Sequence, residues 1–392
     1  MLKGLFYDSS ATMLLKNHSP ISNIFSSKNS NFKSVFVSNE TSSNLDSEHN
    51  YLCERNLLKL NNSSYFKLKT FNHKKISKFL EDFDPDFVFI GGYRIYDQLI
   101  TAICNINNIK IYKIQHGFEI DTVNYRLRSV LFKTVKVLRI LNCSYNLALI
   151  SKSSPFQLTL QYVNYFFNGI SLKNTLLDNV LFHPTILFVY SEYYKDFWFN
   201  KFGLIKENMC NITPPDFLMV DKVSTQKQQQ GCCYIAQTLV EDGRMSENEF
   251  RDLLTEYESI AKCVEVFIIK LHPRSELKYY ENISKLKNVK ITNDFPNCTS
   301  YLTHYSSLLY TAAFLSEYLI LHELKSHKTH EIFKKVNPLI VNSTKEIITF
   351  LTKKISNEKI SINKRKKELK YFADFENINP YEQVYNTIIS LN

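Results

Sequence analysis

The chain has 392 residues, 44% of them hydrophobic and 22% charged, which is the profile of an ordinary globular protein and excludes wholesale disorder. Its 8 glycines and 10 prolines make up about 5% of the chain against a usual share of about 12%, so collagen-like, mucin-like and Gly/Ser-linker architectures are excluded. Lys+Arg 48 exceed Asp+Glu 38, a formal charge of +10; that balance favours anionic partners without choosing among nucleic acid, membrane and phosphorylated substrate.

The opening MLKGLFYDSSATMLLKNH lacks the apolar core and cleavage site of a signal peptide. No run of 18 apolar residues occurs, so no spanning helix is predicted. The eight cysteines are scattered without a CxxC pair and read as reduced core thiols of a cytosolic protein. A Ser/Asn-rich stretch at 22–50 reads as long surface loops. FVFIGG (87–92) is a buried strand, 93–107 a helix, and IKIYKI (109–114) the next strand. TILFVYS (185–191), CCYIAQ (232–237), VEVFIIK (264–270) and VKIT (289–292) follow as strands, separated by candidate helices. Strands alternating with helices predict an α/β fold with parallel, doubly wound sheets.

The polar run STQKQQQ (224–230) is the best boundary. It gives an N-terminal domain over 1–223 and a C-terminal domain over 231–362. Helical patterns at 344–355, 363–375 and 380–391 end the chain, and residues 363–392 are expected to pack back on the N-terminal domain. Two such domains would face each other across a cleft, with ligands at the carboxyl ends of the strands.

Four polar clusters sit at predicted strand ends. Gln115-His116-Gly117 follows IKIYKI, and Glu241-Asp242-Gly243 follows CCYIAQ. Lys270 to Arg274 closes VEVFIIK with His272-Pro273 at its centre, and Ser306-Ser307 heads the apolar LLYTAAFL. A carboxylate on a glycine-freed loop suits a general base. A His before Pro, flanked by Lys270 and Arg274, suits a phosphate leaving group. Two serines ahead of a helix suit anion binding. Each cluster alone also reads as a turn or a cap; their order and common placement favour a site. His183-Pro184, which precedes its strand, reads as a structural turn.

Neither GxxxxGK[ST] nor GxGxxG is present, nor HExxH, nor a Cys/His zinc spacing. Asp82, Asp84 and Asp86 precede a strand instead of following one, so they read as a helix end and turn, and a metal-independent mechanism fits better. No aromatic-basic signature for nucleic acid stands out. RLRSVLFKTVKVLRIL (126–141) mixes bases with an apolar stripe and reads either as a core-facing helix or as a peripheral contact with an anionic membrane. The Lys/Arg run at 364–367 reads as a solvated face.

YIAQTLVEDGRMSENEF (234–250), FIIKLHPRSE (267–276) and YSSLLYTAAF (305–314) together resemble the bacterial sialyltransferase and polysialyltransferase group, whose Asp/Glu-Asp-Gly, His-Pro and serine motifs occur in this order; bacterial Kdo transferases share a similar layout. KIQHG (113–117) resembles a segment of capsule-assembly transferases. The resemblance implies a GT-B fold of two Rossmann-like domains with C-terminal helices. It also implies transfer of a sialic acid or related nonulosonate from a CMP donor to a hydroxyl of a lipooligosaccharide or capsule glycan, without metal or cofactor. By position Asp242 would be the general base with Glu241 beside it, and His272 would assist departure of the phosphate. Gln237, Gly243, Lys270, Pro273, Arg274, Ser306 and Ser307 would hold the donor, and Gln115, His116 and Gly117 would lie on the acceptor side. Ala236 departs from the glycine common before this glutamine, which bears on donor identity. A CMP-Kdo transferase, retaining if Asp242 attacks the sugar directly, is the nearest alternative. A teichoic-acid-type phosphotransferase is suggested by Gln115-His116-Gly117 alone, and a non-catalytic glycan- or membrane-binding protein of the same fold is the alternative of another class. The expected location is the cytoplasmic face of the bacterial inner membrane.

Overall fold

Short apolar runs such as FVFIG, KIYKI and VFIIK, almost wholly buried, lie within two sheets whose described strands all pair in parallel, the arrangement that helices on either side require. The computed structural model describes residues 1–8, 14–39, 64–68, 72–115, 117–118, 130–241, 243–324, 329–353, 361–373 and 379–391. The chain divides into two compact units that meet between Pro215 and Asp216, and among the described residues the first also includes the last helix.

The first unit runs β1 (Lys3–Asp8), α1 (Ser19–Lys28), β2 (Lys33–Asn39), β3 (Ser64–Leu68), α2 (His73–Phe83), β4 (Phe87–Gly91), α3 (Ile95–Ile106) and β5 (Lys110–Ile114). It continues with α4 (Val130–Ser151), α5 (Pro155–Asn168), β6 (Ile186–Val189), α6 (Glu192–Phe202) and β7 (Met209–Asn211). The sheet order is β3-β2-β1-β4-β5-β6-β7, so the winding reverses between β1 and β4. Phe6, Phe25, Phe32, Phe87 and Phe89 form its aromatic centre. Each contributes about 1.5–3 kcal/mol by burial.

The second unit runs α7 (Leu218–Ser224), β8 (Gln229–Ile235), α8 (Glu247–Ala261), β9 (Val266–Lys270), β10 (Val289–Thr292), β11 (Cys298–Thr303), α9 (Leu308–Ala313) and β12 (Tyr318–His322). Then come α10 (Glu331–Lys334), β13 (Leu339–Val341), α11 (Thr344–Lys353) and α12 (Ile362–Leu369), while α13 (Pro380–Leu391) closes the first unit. Its order is β10-β9-β8-β11-β12-β13, and here the winding reverses between β8 and β11. Helix α8 starts on a capping box: Ser246 Oγ accepts from Glu249 N, and the Glu249 carboxylate accepts from Ser246 N at 2.8 Å.

Three expectations change. Of the stretch 22–50, residues 40–50 lie outside the described residues, and 22–39 are mainly most of α1 and all of β2 rather than long loops, because Ile21, Phe25, Phe32, Val35, Phe36 and Val37 are buried between the Ser and Asn residues. The division between the units falls at Pro215 and Asp216, ahead of the polar run 224–230 expected to mark it, and within that run Gln229 N donates to Asn297 O at 2.8 Å and leads β8 into the sheet. The terminal helices also part company. Arg365 of α12 is buried in the second unit and donates to the carbonyls of Ser316 and Glu317. On α13, the Tyr385 ring meets Phe25 at 4.7 Å and Gln383 accepts from Thr213 N at 3.2 Å, both in the first unit.

Asp84 is the left-handed C-cap of α2 and Asp86 accepts from Lys3 N at 2.6 Å; the helix-end reading of this acidic run holds. Among the described residues, all seven cysteines are free and no helix is long and apolar enough to cross a membrane.

Candidate functional site

In the second unit the carboxyl ends of three adjacent strands, β9, β8 and β11, carry the loops singled out by sequence, and two of them flank the reversal of winding where open α/β sheets bind ligands. After β8, Leu239 O accepts from the N–H groups of Arg244 and Met245 at 2.8 and 3.0 Å. Gly243 N closes a turn on Val240 O at 2.8 Å. Gly243 (φ +62°) and Gly117 (φ +66°) both use the left-handed region, which explains two of the few glycines at no steric cost. Asp242 and His116 lie outside the described residues.

After β9, Ser275 N donates to His272 O at 2.9 Å, closing a turn with Pro273 at its second position. Arg274 N donates to His272 Nδ1 at 3.1 Å. That nitrogen is therefore the acceptor, and in the neutral ring the proton sits on Nε2. His272 is half-buried, while Pro273 and Arg274 are exposed. Lys270 is buried and donates from Nζ to Leu271 O at 2.6 Å, just ahead of the turn. After β11, Ser306 is buried and its Oγ accepts from Leu308 N at 3.2 Å; Ser307 makes no side-chain cap bond.

These loops are tied to one another. Arg274 Nη2 donates to Thr238 Oγ1 at 3.3 Å, and Glu241 Oε1 accepts from Glu276 N at 2.9 Å. Both ties join the β8 and β9 loops. Arg244 lies 4.8 Å over the Tyr305 ring, joining the β8 and β11 loops by a cation–π contact. Glu241, Gln237, Gly243, His272, Arg274, Ser306 and Ser307 are thus gathered on three neighbouring loops. Glu241 serves as a brace between two of them. Gln237 bonds the adjacent Ala236 carbonyl at 3.2 Å.

A buried polar chain supports the β11 end. His304 Nδ1 lies 2.9 Å from the His322 carbonyl, and Tyr257 Oη lies 3.2 Å from His304 Nε2 and 2.9 Å from His322 Nδ1. A carbonyl only accepts, so His304 carries its proton on Nδ1 and accepts from the Tyr257 hydroxyl, which in turn accepts from His322 Nδ1. Burial pushes His304 down to about 3, with the neighbouring His322 adding to it, and burial lowers His322 as well. The unfolded chain takes up a proton near pH 6.5, whereas folded His304 holds it off to about pH 3. Stability contributed here is therefore complete above about pH 6.5 and is lost as pH falls across that window. In denaturant titrations at pH 7 and pH 4.5, His304→Gln should lose about 1–3 kcal/mol less than the wild type on acidification.

The first unit has its own cluster at its reversal of winding. Asp8 ends β1, and its Oδ1 lies 3.3 Å from Arg94 Nη1, just ahead of α3. His18 Nε2 lies 3.8 Å from Asp8 Oδ2, and both side chains are buried. A Cβ at Gly91 would stand 2.3 Å from Asp8 Oδ2, so this glycine makes room for the pair. Arg94 N donates to Asp97 Oδ2 at 2.6 Å. Burial raises the Asp97 carboxyl, opposed by Arg94 and Lys113. Lys113 is buried with its Nζ 4.1 Å over the Tyr93 ring, and burial brings it down to about 8. No motif in the sequence marks this cluster.

Gln115 is a bracket. Its Nε2 donates to Gly117 O at 2.9 Å, its Oε1 accepts from Tyr190 N at 3.3 Å, and its carbonyl accepts from Tyr190 Oη at 2.8 Å. The side chain holds the ends of β5 and β6 together. Among the described residues no group of three or more His, Cys, Asp or Glu side chains forms a metal cluster.

Two doubly wound parallel units in one chain define the GT-B fold. Solved structures with this architecture include a UDP-GlcNAc 2-epimerase from Neisseria meningitidis bound to UDP-GlcNAc, 13% identical over 100% of both chains with a TM-score of 0.56. The UDP-GlcNAc 2-epimerase of Methanocaldococcus jannaschii, in complex with UDP-GlcNAc and UDP, is 14% identical over 100% of this chain and 99% of that one, with a TM-score of 0.54. The wall teichoic acid polymerase TagF is 12% identical over 99% of this chain and 88% of its own, with a TM-score of 0.53. At these identities the likeness is one of fold. No family model matches the chain, and no curated protein matches it by sequence.

Proposed function

We propose that this protein is a metal-independent glycosyltransferase that moves a sialic acid or related nonulosonate from its CMP donor to a hydroxyl of a bacterial surface glycan, at the cytoplasmic face of the inner membrane. The observation that carries the reading is the gathering of His272, Arg274, Glu241, Ser306 and Ser307 on three tied loops at one reversal of winding. The Nε2–H of His272 and the Arg274 guanidinium are donors suited to a departing phosphate. In the proposed step the acceptor hydroxyl gives its proton to Asp242 as its oxygen bonds the anomeric carbon. The bond from that carbon to the phosphate oxygen breaks, and CMP leaves with the electron pair. Glu241 positions the loop that bears Asp242.

A CMP-Kdo transferase is the rival within the class, and the epimerase relatives bind a uridine nucleotide in this fold. Incubation with CMP-sialic acid, CMP-Kdo or UDP-GlcNAc and a truncated lipooligosaccharide acceptor should release CMP from the sialic acid donor above its hydrolysis rate. Release from CMP-Kdo alone reassigns the donor. Turnover of UDP-GlcNAc alone overturns the proposal.

A further inference from the structure

Helices α4 and α5 form an antiparallel hairpin in which each helix has two apolar faces. The inner faces, with Ile140, Cys143 and Leu147 on α4 and Leu158 and Tyr162 on α5, are buried. The outer faces carry Leu138, Leu141, Tyr145 and Leu149 on α4 and Phe156 and Leu160 on α5, each between 46% and 75% exposed. Their spacing of three and four residues keeps each set on one side of its helix. A helix apolar on both faces belongs in a core or against a second apolar phase, and the described residues of the first unit cover one face only.

Charge selects the occupant. Residues 130–177 contain Lys133, Lys136, Arg139, Lys152 and Lys173 and no Asp or Glu, while the whole chain carries 38 acidic residues; an even spread would place about five in this stretch. An acid-free, basic segment bearing an extended aliphatic stripe is complementary to anionic headgroups over an acyl layer. Tyr145 is a residue type enriched at the membrane–water interface, and Phe156 one that interfacial helices bury with their apolar face. Helix α4, at 22 residues, is about 33 Å long, which offers a long flat face rather than a pocket for a peptide. No described helix qualifies to span a membrane, so this one would lie on it.

We propose that the outer face of the α4–α5 hairpin docks on an anionic lipid bilayer. This names the surface behind the membrane placement of the proposed transferase, yet it needs none of the transfer chemistry, so vesicle capture and nucleotide binding can fail separately. The full chain should float with vesicles of phosphatidylglycerol and phosphatidylcholine, and at least about tenfold less with phosphatidylcholine alone. Leu138→Glu with Leu149→Glu should lower capture by anionic vesicles at least about tenfold, with an unchanged melting temperature and unchanged CMP binding. Phe156→Glu on the other helix should act in the same direction. Wild-type chain that stays unbound overturns the proposal, as does a double variant that floats like wild type. A dimer dissolved by these substitutions, without vesicle capture, assigns the face to a second copy instead.

Discussion

His272→Ala is expected to cut sugar transfer by about 10²–10³-fold while moving the melting temperature by no more than about 2 °C. The side chain is half-buried on a loop, and its Nδ1 is occupied by Arg274 N, so the proposed work falls to Nε2–H. Two conservative variants separate that role from a purely structural one. His272→Asn keeps an acceptor near the position of Nδ1 and preserves the turn, but has no donor at the position of Nε2; it should be nearly as slow as the alanine variant. His272→Gln puts an N–H near that position and should recover part of the rate. If asparagine restores activity and glutamine does not, His272 is a loop staple and the assignment is wrong.

Gly231→Ala is expected to be the most damaging single methyl addition in the second unit. A Cβ there would lie 2.0 Å from Val266 O, a backbone atom of the neighbouring strand, and Gly231 and Val266 are register partners between β8 and β9. Backbone in a central parallel sheet cannot turn aside as a flexible side chain can. The strands must part, at a cost of about 3 kcal/mol, read in a thermal melt as a fall of about 6–12 °C. The same shift would loosen the loops after both strands, so transfer should fall further than stability alone explains. An alanine variant with a wild-type melt would show that β8 and β9 do not approach as described.

The strands were legible because parallel strands buried on both faces are continuous apolar runs: FVFIG, KIYKI and VFIIK lie where periodicity puts them. The β2 region was not, since its apolar residues are interleaved with Ser, Asn and Lys and composition masked the pattern. Within the second unit, the motif loops could be read from strand-end polar clusters, and the sheet order then brings their strands side by side. What sequence could not reveal were partners joined only by that order. Asp8 and Arg94 stand 86 positions apart, yet β1 and β4 are parallel neighbours. Tyr257, His304 and His322 likewise come from three separate elements. Gly231, just ahead of the run CCYIAQ in the sequence, is a point of close approach that only the neighbouring strand defines.

Thermal stabilisation by nucleotides tests the donor assignment most directly. CMP at about one hundred times its dissociation constant should add about 2.7 kcal/mol to the unit that binds it, raising its melting temperature by about 5–10 °C. UDP at the same concentration should leave it unmoved. A melting temperature raised equally by UDP, or unchanged by CMP, would contradict a CMP-dependent transferase.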